Sequence, residues 1–207
     1  MAQYFQIHPK NPQQRLLQQA AEIVRGGGLV AYPTDSSYAL GCHLGDKRAV
    51  ERIRKIRKLD RKHNFTLVAH DLKQISQFAK IDNEQYRLIK TLTPGPYTFI
   101  LAAKRLVPNR LVHPKRRTIG IRIPDNAIVH GLLAELSEPI MSSSLILPDA
   151  EFAMADPDEI REKLEHEVDL VIDGGLGTLQ PSTVIEWLDA RLQVLREGAG
   201  DIGFLQD

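Results

Sequence analysis

Side chains able to bind or do chemistry cluster at a few short places in this chain. The densest is Val30-Ala31-Tyr32-Pro33-Thr34-Asp35-Ser36-Ser37-Tyr38-Ala39-Leu40-Gly41, where an apolar run breaks at Pro33 into four small polar residues and turns apolar again before Gly41. A buried strand that ends in a loop presenting hydroxyls and a carboxylate to a pocket has this pattern. Similar strand-end groups recur at His63-Asn64, at Thr118 with Arg122, at Ser142-Ser143-Ser144, at Pro181-Ser182-Thr183 and at Arg196. Hydroxyls with a few arginines suit phosphate, carboxylate or adenylate recognition, where the planar guanidinium fork is favoured. No serine or cysteine stands in a recognisable nucleophile-and-base pattern, and there is no Walker loop, dinucleotide fingerprint or nucleophile elbow. Any reaction at such a site is expected to rest on positioning and charge stabilisation.

The serine triplet carries a geometric constraint. Three serines in a row on a strand put hydroxyls on both faces of the sheet, so at least one points toward the core or a cavity. A buried hydroxyl needs a partner, which a neighbour or a ligand can supply. The seven histidines show no paired metal spacing, and Cys42 is the only cysteine, so neither a protein-bound metal site nor a disulfide framework is expected.

Net charge over the 207 residues is only +1, but its distribution is uneven. Residues 47–63 hold nine Lys or Arg against Glu51 and Asp60, a local net of +7, and residues 104–117 hold six with no acid, a local net of +6. The remainder therefore carries 1 − 13 = −12. This asymmetry predicts a positive face on an acidic body, fit for a polyanion; solvated helix and loop faces are the bland alternative. The N-terminus lacks a signal pattern and no apolar run approaches the ~20 residues of a membrane span, so a soluble, cytoplasmic protein is expected.

The elements that must position these groups follow from periodicity and punctuation. Residues 12–25 read as an amphipathic helix stopped by Gly26-Gly27-Gly28, a glycine run in the wrong order for a phosphate loop. Leu29–Pro33 reads as a central strand. Asp46 can cap a helix to about Leu59, with Ala49, Val50, Ile53 and Ile56 as its buried row and Arg48, Arg52, Lys55 and Lys58 projecting elsewhere. Arg57 falls on the flank of that row, so it needs either an internal acidic partner or a cleft. Asn64–His70 follows as strand, Asp71 opens a helix to Phe78, and another helix covers about Asp82 to Thr91. Then come a turn at Thr93–Pro96, a strand Tyr97–Ala103, a basic loop Lys104–Arg117 and a strand Thr118–Ile123. Pro124-Asp125 starts a helix to about Leu136, Pro139–Leu147 is strand, and Asp156-Pro157 opens a helix to about His166. Val168–Asp173, Ser182–Trp187 and Leu192–Arg196 complete a strand-rich end. The order predicts one α/β domain over 1–207 with an open, twisted, mixed sheet.

The motifs, taken together, resemble a known family. Tyr32-Pro33-Thr34-Asp35-Ser36-Ser37-Tyr38-Ala39-Leu40-Gly41 resembles the signature of the YrdC-like family, the threonylcarbamoyl-adenylate synthases. Pro94-Gly95-Pro96-Tyr97-Thr98, Ile121-Arg122-Ile123-Pro124, Ser142-Ser143-Ser144, Pro181-Ser182-Thr183-Val184 and Leu195-Arg196-Glu197-Gly198 match in order. Asp35–Cys42 together with His63-Asn64-Phe65-Thr66-Leu67 looks most like the YciO branch. The resemblance implies a YrdC-like fold with flanking helices and a concave basic face suited to RNA. It also implies a pocket for ATP or an adenylate, with Mg as a possible companion, and for L-threonine. Family members join threonine, bicarbonate and ATP into threonylcarbamoyl-AMP, the donor for modifying adenosine in tRNA. By position, the resemblance places Ser36, Arg122 and Ser142 on the threonine side, and Arg57, Thr118, Ser144, Ser182 and Arg196 on the nucleotide side. Synthases usually carry Lys-x-Arg after the first helix and Ser-x-Asn after the serine strand, whereas this chain has Arg57-Lys58-Leu59 and Ser144-Leu145-Ile146. Each missing charge-assisted hydrogen bond costs roughly 1.5–3 kcal/mol. Ordinary synthase activity is therefore not expected.

Two functions compete. One is threonylcarbamoyl chemistry on tRNA, as a weak synthase or on an already modified product. The other is a non-enzymatic module for double-stranded RNA, using Arg48, Arg52, Lys55, Lys58, Arg61, Lys62, Lys115, Arg116 and Arg117. Neither basic run is interleaved with aromatics, which favours a duplex backbone over stacked single strands. A small-molecule carrier would leave the basic segments unused. The expected partners are RNA and a nucleotide, with no membrane, and the expected state is a monomer or weak dimer.

Overall fold

The computed structural model describes residues 1–60, 63, 65–188 and 191–205. Arg61, Lys62 and Asn64 lie outside the described residues. Within the rest, ten strands form one mixed sheet: β1 (Gln3–Gln6), β2 (Val30–Tyr32), β3 (Ala39–His43), β4 (Thr66–Val68), β5 (Tyr97–Ala102), β6 (Thr118–Arg122), β7 (Ile140–Ser144), β8 (Leu170–Asp173), β9 (Thr183–Leu188) and β10 (Arg191–Arg196). Their order is β1-β8-β2-β3-β7-β4-β6-β5-β9-β10. Parallel pairs (β1/β8, β2/β8, β4/β6, β5/β9) are interspersed with antiparallel ones.

Among the described residues six α-helices cover the sheet: α1 (Gln14–Arg25), α2 (Lys47–Arg57), α3 (Leu72–Phe78), α4 (Asn83–Leu92), α5 (Ala127–Leu136) and α6 (Pro157–Leu164). Local chemistry sets their ends. The Asp46 carboxylate accepts from Ala49 N at 2.8 Å, and Lys58 at φ 48° closes α2 in the left-handed region. Asp82 and Gln85 form a reciprocal capping box on α4. The helix expected from Pro124-Asp125 begins later. The Asp125 amide is held at 2.8 Å by the Asp35 carboxylate, and Asn126 caps α5 by accepting from Ile128 N and Val129 N.

Two apolar clusters sandwich half of the sheet. Helices α1 and α5 bury Leu17, Ala20, Val24, Ile128 and Leu132 against Val30, Tyr32, Ile140 and Val68. Gly131 allows their close approach, since a Cβ there would lie 2.4 Å from Leu17 Cδ1. On the other face, the larger cluster runs the width of the sheet from Leu29 and Leu40 to Leu67, Ile121, Phe99 and Ile185, under Ile53, Ile75, Ile89 and Ile160. The α1/α5 layer reaches no further than Val68 on β4. Beyond it, β6, β5 and β9 are covered on one face only, and their alternate residues (Gly120 and Arg122, Thr98 and Ile100, Val184) line a cleft on the other.

Two strands depart from the sequence reading. β1 carries only Tyr4 and Phe5 as apolar residues and joins the sheet edge through β8. β3, for which the sequence reading assigns no element, pairs antiparallel with both β2 and β7. Among the described residues, no helix is long and apolar enough to cross a membrane.

Candidate functional site

The cleft floor is built by strand alternation. On β4, β5 and β6 the odd-numbered chain positions Leu67, Phe99, Ile119 and Ile121 face the core, leaving Thr66, Thr98, Gly120 and Arg122 toward the cleft. Gly120 keeps the floor open, because a Cβ there would meet Thr66 Oγ1 at 2.8 Å. The walls come from Ser37, Arg57, His63, Ser142, Ser143, Ser144, Ile146, Ser182 and Arg196.

One wall is the polar loop between β2 and β3. Ser36 is buried; its hydroxyl accepts from Arg122 Nη2 at 2.8 Å and lies 3.1 Å from Thr34 Oγ1. Thr34 also donates to Ser37 O at 2.6 Å, and Thr178 donates to Ser36 O at 2.8 Å. Arg122 forms an ion pair with Asp35, and its Nε is a buried donor without a partner among the described residues. A buried guanidinium held on one side only is a ready anchor for an anionic or carbonyl group on the other.

The opposite wall holds Arg196. Its Nε and Nη2 donate to Ser182 O at 3.1 and 2.9 Å, and Nη2 approaches Ser182 Oγ at 3.3 Å. Ser182 Oγ in turn lies 2.8 Å from Thr98 Oγ1. Burial, with the repulsion of Arg122 second, lowers the Arg196 pKa. Thr183 steadies the segment after Arg196: its hydroxyl accepts from Gly198 N and Gly200 N at 3.0 Å and donates to Gly200 O at 2.7 Å.

Arg57 forms a third positive corner. The sequence leaves two options for it, and the structure has no ion pair to Arg57 among the described residues. Instead Nε donates to Ile146 O at 3.1 Å and Nη1 donates to the Ser143 hydroxyl. Burial lowers its pKa to about 10. His63 Nε2 sits 3.5 Å from Arg57 Nη1 and 3.3 Å from Ser143 Oγ. Burial, then Arg57 and Arg54, push His63 down to about 4, so the imidazole is neutral at ordinary pH.

The serine triplet divides as strand geometry demands. Ser142 Oγ lies 2.6 Å from the buried Tyr32 hydroxyl, while Ser143, on the other face near the end of β7, meets Arg57 and His63, and these three residues also line the cleft. The structure thus brings Arg57, Arg122, Ser142, Ser144, Ser182 and Arg196 to one cleft, with Ser36 behind Arg122. Thr118 is not among the lining residues. It shares a face with Arg122 but lies four residues along β6, about 13 Å at the usual rise of a strand. The pairing of Ser143 with His63 has no signal in the sequence, since it depends on long-range strand pairing.

The cationic set is more divided than its sequence density implies. Arg52 is held by Asp169 at 2.6 Å and by Glu167 O at 2.8 Å. Arg116 reaches both oxygens of the buried Glu186 at 2.8 Å. Lys55 lies 4.0 Å from Glu167, and Arg117 donates to Asn109 Oδ1 at 3.0 Å. Arg48, Lys58 and Lys115 are exposed and make no ion pair among the described residues. Arg110 ties the second basic segment to the turn that precedes α2 by donating to Gly45 O at 2.6 Å. Among the described residues, no group of three or more His, Cys, Asp or Glu is placed to hold a metal ion.

These features define a class: an α/β protein whose mixed sheet leaves one face open as an arginine- and hydroxyl-lined cleft. The Sua5/YciO/YrdC family model, described as telomere recombination, matches residues 22–198, and the chain belongs to that family. The crystal structure of Escherichia coli YciO superposes with a TM-score of 0.95 at 53% identity, covering 98% of each chain. P. abyssi Sua5 complexed with L-threonine superposes at 0.86 with 26% identity, over 94% of this chain and 57% of that one. In sequence, the threonylcarbamoyl-AMP synthase of Vibrio vulnificus is 28% identical over 186 residues, covering 88% of this chain and 98% of the synthase.

Proposed function

We propose that this chain binds RNA, as tRNA or another duplex, and uses its cleft for an adenylate carrying a threonine or threonylcarbamoyl group, in threonylcarbamoyl chemistry on tRNA adenosine. The carrying observation is the convergence of Arg57, Arg122 and Arg196 on one cleft, two of them without a carboxylate partner among the described residues. Desolvated guanidinium groups without counter-charge favour a bound anion, and the surrounding hydroxyls suit phosphate and ribose oxygens. The relatives named for threonylcarbamoyl-AMP synthesis and solved with L-threonine support the choice of ligand. Ile146 lines the cleft and Leu59 packs against the core, so neither supplies a polar group to a triphosphate. The reading therefore favours an adenylate or a modified nucleoside over efficient use of ATP.

Incubation with threonylcarbamoylated and unmodified tRNA, with and without ATP and threonine, tests the reaction by following the modified nucleoside. Calorimetry with threonine, AMP and threonylcarbamoyl-AMP tests the pocket. Binding of at least one of these is expected, and absence of binding by all of them sinks the reading. A purely RNA-binding module is the second possibility, favoured by exposed Arg48, Lys58 and Lys115. It predicts tRNA binding with no change in the nucleoside and no small-molecule affinity.

A further inference from the structure

We propose that Ser143 and His63 form a nucleophile-and-base pair that cleaves acyl–phosphate anhydrides bound in the cleft. The proposal rests on the reading of that cleft as an adenylate pocket, and adds a covalent step that this reading does not require.

The geometry sets each role. Ser143 Oγ lies 3.3 Å from His63 Nε2, just beyond ideal hydrogen-bond reach and within the looser range of unliganded sites. Arg57 Nη1 donates to the same Oγ. A guanidinium can only donate, so it occupies a lone pair of the serine oxygen and leaves the hydroxyl proton for the imidazole. It also stabilises negative charge that develops on Oγ as the proton departs. Arg57 is itself fixed by its Nε bond to Ile146 O, and as a residue lining the cleft it can hold the phosphate of the leaving group. The His63 ring is fixed edge-on against Phe65, with centroids 5.4 Å apart. Its neutrality leaves Nε2 able to accept in the tautomer that carries the proton on Nδ1. Burial is the larger cause of the lowered His63 pKa and remains, but a phosphate on Arg57 offsets the second cause, the Arg57 repulsion, and so strengthens His63 as a base once substrate binds. Ser142 has no such arrangement, because its hydroxyl is taken up by Tyr32.

The reaction balances in two steps. Ser143 Oγ bonds to the acyl carbon while its proton moves to His63 Nε2, the bond from that carbon to the bridging oxygen breaks, and the phosphate monoester leaves with the electron pair. His63 then releases its proton to solvent. Water attacks the serine ester, His63 takes a water proton and returns it to Oγ, and the carboxylic or carbamic acid departs. The net change is hydrolysis of one anhydride to an acid and a phosphate monoester, with no other co-reactant.

The test uses the full chain and acetyl-adenylate as probe. Wild type is expected to release AMP and to show, on rapid quenching, a peptide containing Ser143 that has gained one acetyl group. Ser143→Ala should abolish the adduct and slow AMP release by about 10²–10⁴-fold, and His63→Gln by about 10²-fold. AMP affinity, measured in parallel by calorimetry, separates a loss of chemistry from a loss of binding in both variants. Calorimetric AMP binding with no release above the uncatalysed rate overturns the inference and leaves the pocket reading standing. Release unaffected by Ser143→Ala overturns it as well. If AMP does not bind and no adduct forms, this inference falls, and the pocket reading falls with it only when threonine and threonylcarbamoyl-AMP also fail to bind. Mapping of the adduct on wild type keeps the test decisive even if a variant folds poorly, and acetylation at any residue other than Ser143 counts against the proposal.

Discussion

Asp35 divides its carboxylate between Arg122 and the backbone amide of Asp125, so one side chain fixes both a cleft guanidinium and the start of the segment leading into α5. Both partners of the ion pair are only 9% exposed, which places the pair in the regime where breaking it costs far more than its net worth. Asp35→Ala would leave Arg122 buried, charged and without its carboxylate, and would free the Asp125 amide. The expected destabilisation is about 3–5 kcal/mol. Urea denaturation of the two proteins measures it, and a loss below about 1 kcal/mol, the range of an exposed pair, would show that the pair is solvated in solution.

The pair illustrates what the sequence makes legible and what it does not. Helix α2 is readable because its determinants are local: Asp46 at the cap, Ala49, Val50, Ile53 and Ile56 at helical spacing, and Arg57 on the flank of that row. The destination of Arg57 is not, because it requires β7 to lie between β3 and β4 and so bring Ser143 and Ile146 over the end of α2. Alternation correctly divides the serine triplet between faces without naming the partners Tyr32 and His63. The same alternation puts Thr118 beside Arg122 in kind but cannot show that the cleft stops short of it. Charge density over 47–63 and 104–117 is plain, yet Asp169 and Glu186, which capture Arg52 and Arg116, are remote in sequence.

His63 gives the fold an acid-sensitive contact. Its pKa is lowered from 6.5 to about 4 in the folded chain by burial and by Arg57 and Arg54. A group depressed on folding contributes stability that is present above its unfolded pKa and lost as pH falls through the folded value. Wild type should therefore lose stability between about pH 6.5 and pH 4 through this residue, by roughly 1–2 kcal/mol after solvent screening at a partly open site. His63→Gln should remove that part of the loss. Denaturation midpoints at pH 7 and pH 4.5 for both proteins check it, and equal acid losses in the two would contradict the assignment.

The RNA-binding proposal makes a distinction among basic residues that charge counting cannot. Reversing Arg48, Lys58 and Lys115 to Glu should leave the fold intact, since all are exposed and outside ion pairs among the described residues. Each phosphate that is no longer neutralised should flatten the dependence of log affinity on log salt by ~0.7–0.9. Reversing Arg52 or Arg116 should instead lower stability, because Asp169 or Glu186 would face a like charge. Filter binding to duplex RNA across a salt series, alongside thermal melts, separates the outcomes. A slope unchanged by the triple reversal would remove these residues from the RNA surface.

Ile146 offers the sharpest test of why triphosphate use is expected to be weak. Ile146 lines the cleft and holds Arg57 through its backbone carbonyl, so the position can gain a polar side chain without losing that backbone acceptor. Ile146→Asn adds an amide at the place where the resembled synthases carry one. A hydrogen bond to a charged phosphate oxygen contributes roughly 1.5–3 kcal/mol, which corresponds to about 10–100-fold in affinity. The asparagine variant should therefore bind ATP more tightly by about that factor while AMP affinity changes little, because the added group acts on the outer phosphates. Leu59→Arg should add to the gain only if the new cation reaches the cleft from its core-packed position. Calorimetry with ATP and AMP on the single and double variants decides between them. Equal gains for both nucleotides would place Ile146 beside the α-phosphate or the nucleoside and reassign that end of the cleft.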